Sequence, residues 1–273
     1  MTQEIPFSVI PMSIVQIVCG FALPAVVTLL LRRRFGGGMK AFWTGCLVFV
    51  IAAGILESMV HQLVLGLSPA GPVILGNAWL YALYGGAMAA LFEEGGRYLA
   101  FRRVLRWEQA DNGNALMYGA GHGGAEAFAL LVISAAGNLV YALLLRTGRS
   151  EVLTAGLDAE AAQATLEQLM STFRDTAWWM YLLAVVERAL AMALQLSMSV
   201  LVWFAAKDGA RGRKLLFLSI GIHFAVDFTA ALLSQYLPAA AVELVLAVLT
   251  AGVVLAARAV WRKYSAPGSA KDP

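Results

Sequence analysis

Ionisable chemistry gathers at three places in otherwise apolar sequence: Glu93 and Glu94 with Arg97, His122 with Glu126, and His223 with Asp227. An acid or imidazole in a membrane-spanning helix costs roughly 2.5–3.5 kcal/mol on insertion scales, so each such residue is a functional candidate until packing explains it. His122 and Glu126 are four residues apart, as are His223 and Asp227, so each pair shares one helix face. Such a pair binds one metal ion, or its acid orients and polarises the imidazole from behind. Glu93 and Glu94 point about 100° apart on a helix, which leaves one to face the cluster and the other to pair with Arg97 or a helix terminus.

A glutamate beside two histidines supplies what hydrolysis requires, a base next to an activated water. Zn²⁺ held by His122, His223 and a carboxylate, with Glu126 as the candidate, would bring the pKa of a bound water to about 7. A metal-independent version is equally sound: Glu93 abstracts the water proton while the imidazoles stabilise the oxyanion. Four glycines, Gly119, Gly121, Gly123 and Gly124, surround His122. Each costs about 1 kcal/mol relative to Ala inside a helix. Their clustering signals close helix contact or room for a substrate backbone, and close packing alone would account for them.

These residues need elements to hold them. The 273-residue chain is 60% hydrophobic and 14% charged, with a mean hydropathy of +0.73. That is more apolar than a globular domain needs and calls for a lipid solvent. The apolar runs are long and lack period-two alternation, so the expected fold is all-α: a polytopic transmembrane bundle. About seven crossings are expected, near 7–31, 41–65, 72–92, 115–145, 177–206, 214–236 and 239–261. They form one bundle domain over 1–264, followed by a disordered tail over 265–273 that holds Pro267, Gly268 and Pro273. The start of the chain, with Glu4, lacks the basic region of a signal peptide, so the first span is expected to be a retained anchor.

Lys and Arg set the orientation. Arg32, Arg33, Arg34 and Lys40 follow the first span; Arg97, Arg102, Arg103 and Arg106 follow the third; Lys207, Arg211, Arg213 and Lys214 follow the fifth. All three groups fall inside if the N-terminus is outside and the C-terminus cytoplasmic. The stretch 147–175 is acidic, and its part from Asp158 to Arg174 reads as an amphipathic helix on the outer surface. On this topology the third, fourth and sixth spans bring Glu93, Glu94, His122, Glu126, His223 and Asp227 to the inner half of the bilayer.

At these residues the chain resembles the CAAX-protease and bacteriocin-processing superfamily of intramembrane proteases, and more closely its YhfC-type branch of intramembrane metalloproteases. Glu93-Glu94-Gly95-Gly96-Arg97 resembles the first motif, a glutamate pair followed by a basic residue. Tyr118 to His122 is similar to the second, an aromatic, three residues, then His; His223 to Asp227 fits the third, His, three residues, then Asn or Asp. Related PrsW-type proteases place Glu in the second motif, a role that Glu126 would mimic. The resemblance runs over 92–228 and implies Glu93 as general base, His122 and His223 as ligands or oxyanion donors, and Asp227 as their support. Two residues separate the glutamates from Arg97 where the main CAAX branch has three, which points away from isoprenylated-protein processing.

Other polar residues have plainer readings. Glu187 and Arg188 are adjacent in the fifth span and read as buried structural partners, with Arg188, like Arg97 and Glu126, also a candidate for binding substrate. Glu57 and His61 form another four-residue pair, expected towards the outer face as a separate polar contact or vestibule. Trp178, Trp179 and Trp261 read as interfacial anchors. Cys19 and Cys46 sit in apolar segments without metal or disulfide spacing. The charge pattern carries no nucleic-acid footprint. Expected partners are membrane lipid, a peptide or membrane-protein substrate and, as an option, a second copy of the chain; the expected location is a bacterial plasma membrane. The competing function is an ion- or proton-coupled transporter using the same cluster. A retinal protein is a poor reading, because no Lys lies mid-span for a Schiff base.

Overall fold

The computed structural model describes residues 5–209 and 212–265. The expected tail beyond Ser265, together with Glu4 and Arg211, lies outside the described residues. All described secondary structure is helical. In order the helices are α1 (Val9–Phe35), α2 (Met39–Leu67), α3 (Ala70–Leu75), α4 (Ala78–Leu99), α5 (Gly113–Arg146), α6 (Ala159–Asp175), α7 (Trp178–Lys207), α8 (Arg213–Leu233) and α9 (Ala239–Ser265). Among the described residues six are long and apolar enough to cross a membrane: α1, α2, α5, α7, α8 and α9. Large apolar side chains such as Phe21, Trp43, Leu63, Phe217 and Leu244 stand exposed along them. Lipid is the solvent that makes such a surface stable.

The third expected span is displaced. Its stretch breaks at Gly76 and Asn77, where the Asn77 side chain accepts from Trp79 N at 3.0 Å and Leu80 N at 3.1 Å and so starts α4 afresh. Past Phe92, where the span was expected to end, α4 runs on to Leu99 and through a π-helical turn, Ala100–Val104. Glu93, Glu94 and Arg97 are therefore helix-interior residues, and α4 is not among the six apolar helices. The amphipathic helix expected after the fourth span is α6, capped by Asp158, whose Oδ1 accepts from Ala161 N at 2.8 Å.

The chain divides into two compact units. The smaller holds the chain up to Leu23 and Ala127–Ala189. There Ile5, Val9, Ala142 and Phe173 form a core that seats α6, Gln16 Nε2 donates to Tyr181 O at 3.0 Å, and Phe21 meets Phe128 edge-on. The larger unit holds Pro24–Glu126 and the chain from Leu190 onward, and it contains both motif histidines.

Within the larger unit the second half of α7 is the hub. Met198, Leu201, Val202, Trp203 and Phe204 are almost wholly buried, and Phe101, Tyr118 and Trp203 form an aromatic core. Trp261, near the end of α9, packs edge-on against Phe35 and Phe204. The glycines around His122 are contact points. A Cβ on Gly121 would stand 1.9 Å from Phe42 O, and one on Gly45 would stand 2.1 Å from Tyr118 O, so α2 and α5 cross with backbones touching. A Cβ on Gly119 would meet Leu196 Cα of α7 at 2.8 Å, and one on Gly86 of α4 would meet Phe224 O of α8 at 2.9 Å. Small residues thus let five helices, α2, α4, α5, α7 and α8, make close backbone contacts. At the loop end, Gly37 takes the left-handed φ of 87°, and a Cβ there would clash with Gly113 O at 2.7 Å.

A side chain at Gly121 must push α2 away from α5. Gly121→Val is expected to destabilise the protein by about 1–3 kcal/mol or more, seen as a lowered melting temperature in detergent. Gly85→Ala, with nothing within 4 Å of the new methyl, leaves it unchanged.

Candidate active site

Helix spacing places Glu93, Glu94 and Arg97 within one turn of α4, Tyr118, His122 and Glu126 on one stripe of α5, and Ser219, His223 and Asp227 on one stripe of α8. The three stripes face one another. Glu93 Oε2 lies 2.9 Å from His122 Nε2 and 3.9 Å from His223 Nε2, and it accepts from Gln195 Nε2 at 2.9 Å. Glu94 Oε1 meets Arg97 Nη1 at 2.6 Å and His223 Nδ1 at 2.8 Å, while its Oε2 accepts from Ser219 Oγ at 2.6 Å. Asp227 Oδ2 lies 3.4 Å from His223 Nε2. Both glutamates thus join the cluster. Glu94 takes Arg97 as expected and adds the rear nitrogen of His223.

Nearly all of this is buried. Glu94, Arg97 and His122 have no exposed surface, and the side chains of Glu93 and His223 have little; Asp227, with 35% of its side chain exposed, is the open side. Arg97 is held by Glu94 and by Gln195 Oε1, to which its Nη2 donates, and sits too deep to meet a substrate. It anchors the network instead. Glu126 accepts from Gln195 Nε2 at 3.2 Å, so one amide joins Arg97, Glu93 and Glu126.

The partners assign the protons. His223 Nδ1 faces a carboxylate already paired with arginine, so it carries hydrogen, and its Nε2 is aimed at the oxygens of Glu93 and Asp227. Two acceptors facing Nε2 call for something positive between them, a proton or a cation. His122 Nε2 donates to Glu93; its Nδ1 has no hydrogen-bond partner among the described residues and lies beside the Phe49 ring, whose centroid is 5.4 Å from that of the imidazole.

No group of three or more His, Cys, Asp or Glu side chains among the described residues is arranged to hold a metal ion. The donor chemistry nevertheless suits one. Along the series His122 Nε2, Glu93 Oε2, His223 Nε2, Asp227 Oδ2, successive atoms are 2.9, 3.9 and 3.4 Å apart. Glu93, Glu94 and Asp227 also carry more negative charge than Arg97 offsets. Glu94 behind His223 Nδ1 is the carboxylate–imidazole support that metal-binding histidines use.

Gln195 and Ser219 were not singled out by sequence reasoning. Gln195 had a signal, since with Ser199 it makes a polar pair at helix spacing in an apolar stretch. Ser219, one turn before His223, is an unremarkable residue until Glu94 is placed opposite it. Arg188 and Glu187 lie in the smaller unit and form an ion pair with each other, although adjacent helix residues ordinarily diverge. Cys19 and Cys46 are free thiols, as expected, and Cys46 Sγ donates to Gly121 O at 3.2 Å.

Helices of this length and apolarity with a buried carboxylate–imidazole cluster define a polytopic α-helical membrane protein with the groups for acid–base chemistry. Residues 19–250 match the family described as YhfC intramembrane metalloprotease. The chain is 34% identical over 236 residues to a Bacillus subtilis (strain 168) protein described as "Uncharacterized membrane protein YhfC", an alignment covering 85% of this chain and 88% of that one. No solved structure matches. This chain belongs to the YhfC intramembrane metalloprotease family, as its three motifs implied.

Breaking a buried ion pair on one side leaves an uncompensated charge, which costs about 3–5 kcal/mol. Arg97→Met is expected to destabilise the protein by that amount in detergent unfolding. Adding Glu94→Gln should recover much of the loss, because the neutral amide still accepts from Ser219.

Proposed function

We propose that the protein is an intramembrane endopeptidase that hydrolyses a peptide bond of a membrane-embedded or lipidated substrate, with Glu93 as general base. The observation that carries this is the single oxygen Glu93 Oε2, buried between the Nε2 atoms of two histidines from two other helices and oriented by the Gln195 amide. A base must be aimed and kept from wandering, and this one is held from three sides. It takes a proton from the attacking water and passes it to the leaving nitrogen. His223, with its rear nitrogen held by Glu94, presents Nε2 to the oxyanion that forms, supported by Asp227. His122 donates to Glu93 and keeps its carboxylate in line.

The family description supports a metal, and His122 and His223, with Glu126 as the carboxylate, would hold it, which leaves Glu93 as the base. Bound there, zinc would acidify a water and polarise the scissile carbonyl. The exposed flank of Asp227 is the side from which a substrate enters. By the distribution of Lys and Arg, we place the site in the cytoplasmic half of the membrane.

The test is cleavage of a model transmembrane peptide by the purified protein in nanodiscs. Glu93→Gln should lower the rate at least about 100-fold with an unchanged melting temperature. Ion flux in proteoliposomes that survives Glu93→Gln, with no cleavage by the wild type, would replace the peptidase with a transporter. Metal analysis is separate: bound zinc should be lost in His122→Ala and in His223→Ala, and full activity in a metal-free preparation assigns catalysis to the acid and imidazoles alone.

A further inference from the structure

Glu57, His61 and Tyr84 are polar groups of the larger unit that the chemistry above leaves unused. Glu57 is 8% exposed, and a carboxylate buried in an apolar helix is there for a reason beyond solubility. His61 Nε2 lies 3.2 Å from Glu57 Oε1, and its Nδ1 lies 3.0 Å from Tyr84 Oη. Either tautomer fits this string: with Glu57 protonated its O–H donates to Nε2 and Nδ1–H donates to the tyrosine oxygen, and the other tautomer reverses both bonds. An imidazole bonded on both nitrogens passes a proton from one side to the other by exchanging tautomers.

Packing fixes where this string lies. At one end, Gly96 of α4 faces the side chains of Val48 and Ala52 on α2; at the other, His61 of α2 bonds Tyr84 of α4. Glu57 falls between those contacts, against the turns of α4 that lead down to Glu93. The antiparallel register set by those contacts puts Glu57 level with the turn of α4 that precedes Glu93. Exposure grows in the opposite direction, from 11% of the Glu57 side chain to 34% for His61. One turn beyond Tyr84, Tyr81 lines a cavity of about 530 Å³ with Ala78, Gln235 and Tyr236. On α4 the titratable groups along the string are Tyr81, Tyr84 and, at its inner end, Glu93, beside which α8 places His223 and Asp227.

We propose that Glu57, His61 and Tyr84 are a proton-carrying limb of the Glu93 site, leading from the buried centre along α4 to the cavity beside Tyr81. The inference rests on the peptidase reading for its role. In that reaction one proton of the attacking water goes by way of Glu93 to the leaving nitrogen. The second is on the new carboxylic acid; its O–H bond breaks as Glu93, free again once it has protonated the leaving nitrogen, takes that proton and passes it to Glu57, from which it leaves through His61 and the Tyr84 hydroxyl to water, while the departing amine gains its charge from water. These three residues act through Glu93 and do not touch the scissile bond.

Two measurements test it in nanodiscs. In the first, peptide cleavage, His61→Ala and Glu57→Gln should lower kcat about tenfold with KM unchanged, and imidazole in the buffer should restore His61→Ala, as it would not restore a packing defect. Wild-type rates in both variants, or a loss that imidazole leaves untouched, overturn the limb while the peptidase reading stands. In the second, imidazole resonances are followed against pH, and with only three histidines in the chain each is assigned by substitution. Glu93→Gln and Asp227→Asn should each lower the titration midpoint of His61, by about half a pH unit, although neither residue touches it. If the wild type cleaves nothing, the peptidase reading fails and this second measurement decides alone: a His61 blind to both substitutions removes the limb, and a responsive one keeps it as part of the centre.

Discussion

Buried charge in a lipid-solvated helix bundle must be answered within hydrogen-bonding distance, because no water is at hand to do it. Glu94 and Arg97 carry that requirement in its strictest form, both having no exposed surface. Arginine has more donors than one carboxylate can accept, and glutamate has more lone pairs than one arginine can fill. The surplus is what recruits other helices: Gln195 from α7 takes an arginine donor, and Ser219 and His223 from α8 take the remaining glutamate sites. One ion pair within a single helical turn therefore orients three helices.

Around that anchor the adjacent glutamates divide the work. Glu94 is saturated by Arg97, Ser219 and His223 and has nothing left to give a substrate. Glu93, one residue earlier and turned by about 100°, faces the space where both imidazoles present Nε2. Helix geometry alone thus gives neighbouring residues of the same type different surroundings. The arrangement needs close backbones, which the glycines at 45, 86, 119 and 121 supply, each against a carbonyl or Cα of another helix. The glycine cost in helix stability is offset by contacts that no larger residue permits.

Much of this was legible before any coordinates. The apolar runs and the amphipathic α6 follow from residue type and spacing, and the convergence of the Glu93, His122 and His223 helices was what the topology and the family resemblance implied. The misreadings have common physical roots. The third span was expected as one stretch over 72–92, but Asn77, whose capping side chain is a weak signal in apolar sequence, starts a fresh helix at Ala78. Arg97 was a candidate for substrate until its burial was seen. Gln195 was overlooked because a neutral amide in an apolar helix is a weak signal, although it links Arg97, Glu93 and Glu126.

By itself the sequence determined that the chain must be helical and membrane-embedded, since an apolar surplus this large has no other stable solvent, and that each acid–imidazole pair shares a helix face, since a spacing of four residues allows nothing else. Only the tertiary structure decided which glutamate meets which histidine, that Arg97 is an anchor, and that Glu57 and His61 meet Tyr84. Those pairings depend on the rotation and crossing of helices far apart in sequence. Close packing sets both quantities, and no local periodicity encodes them.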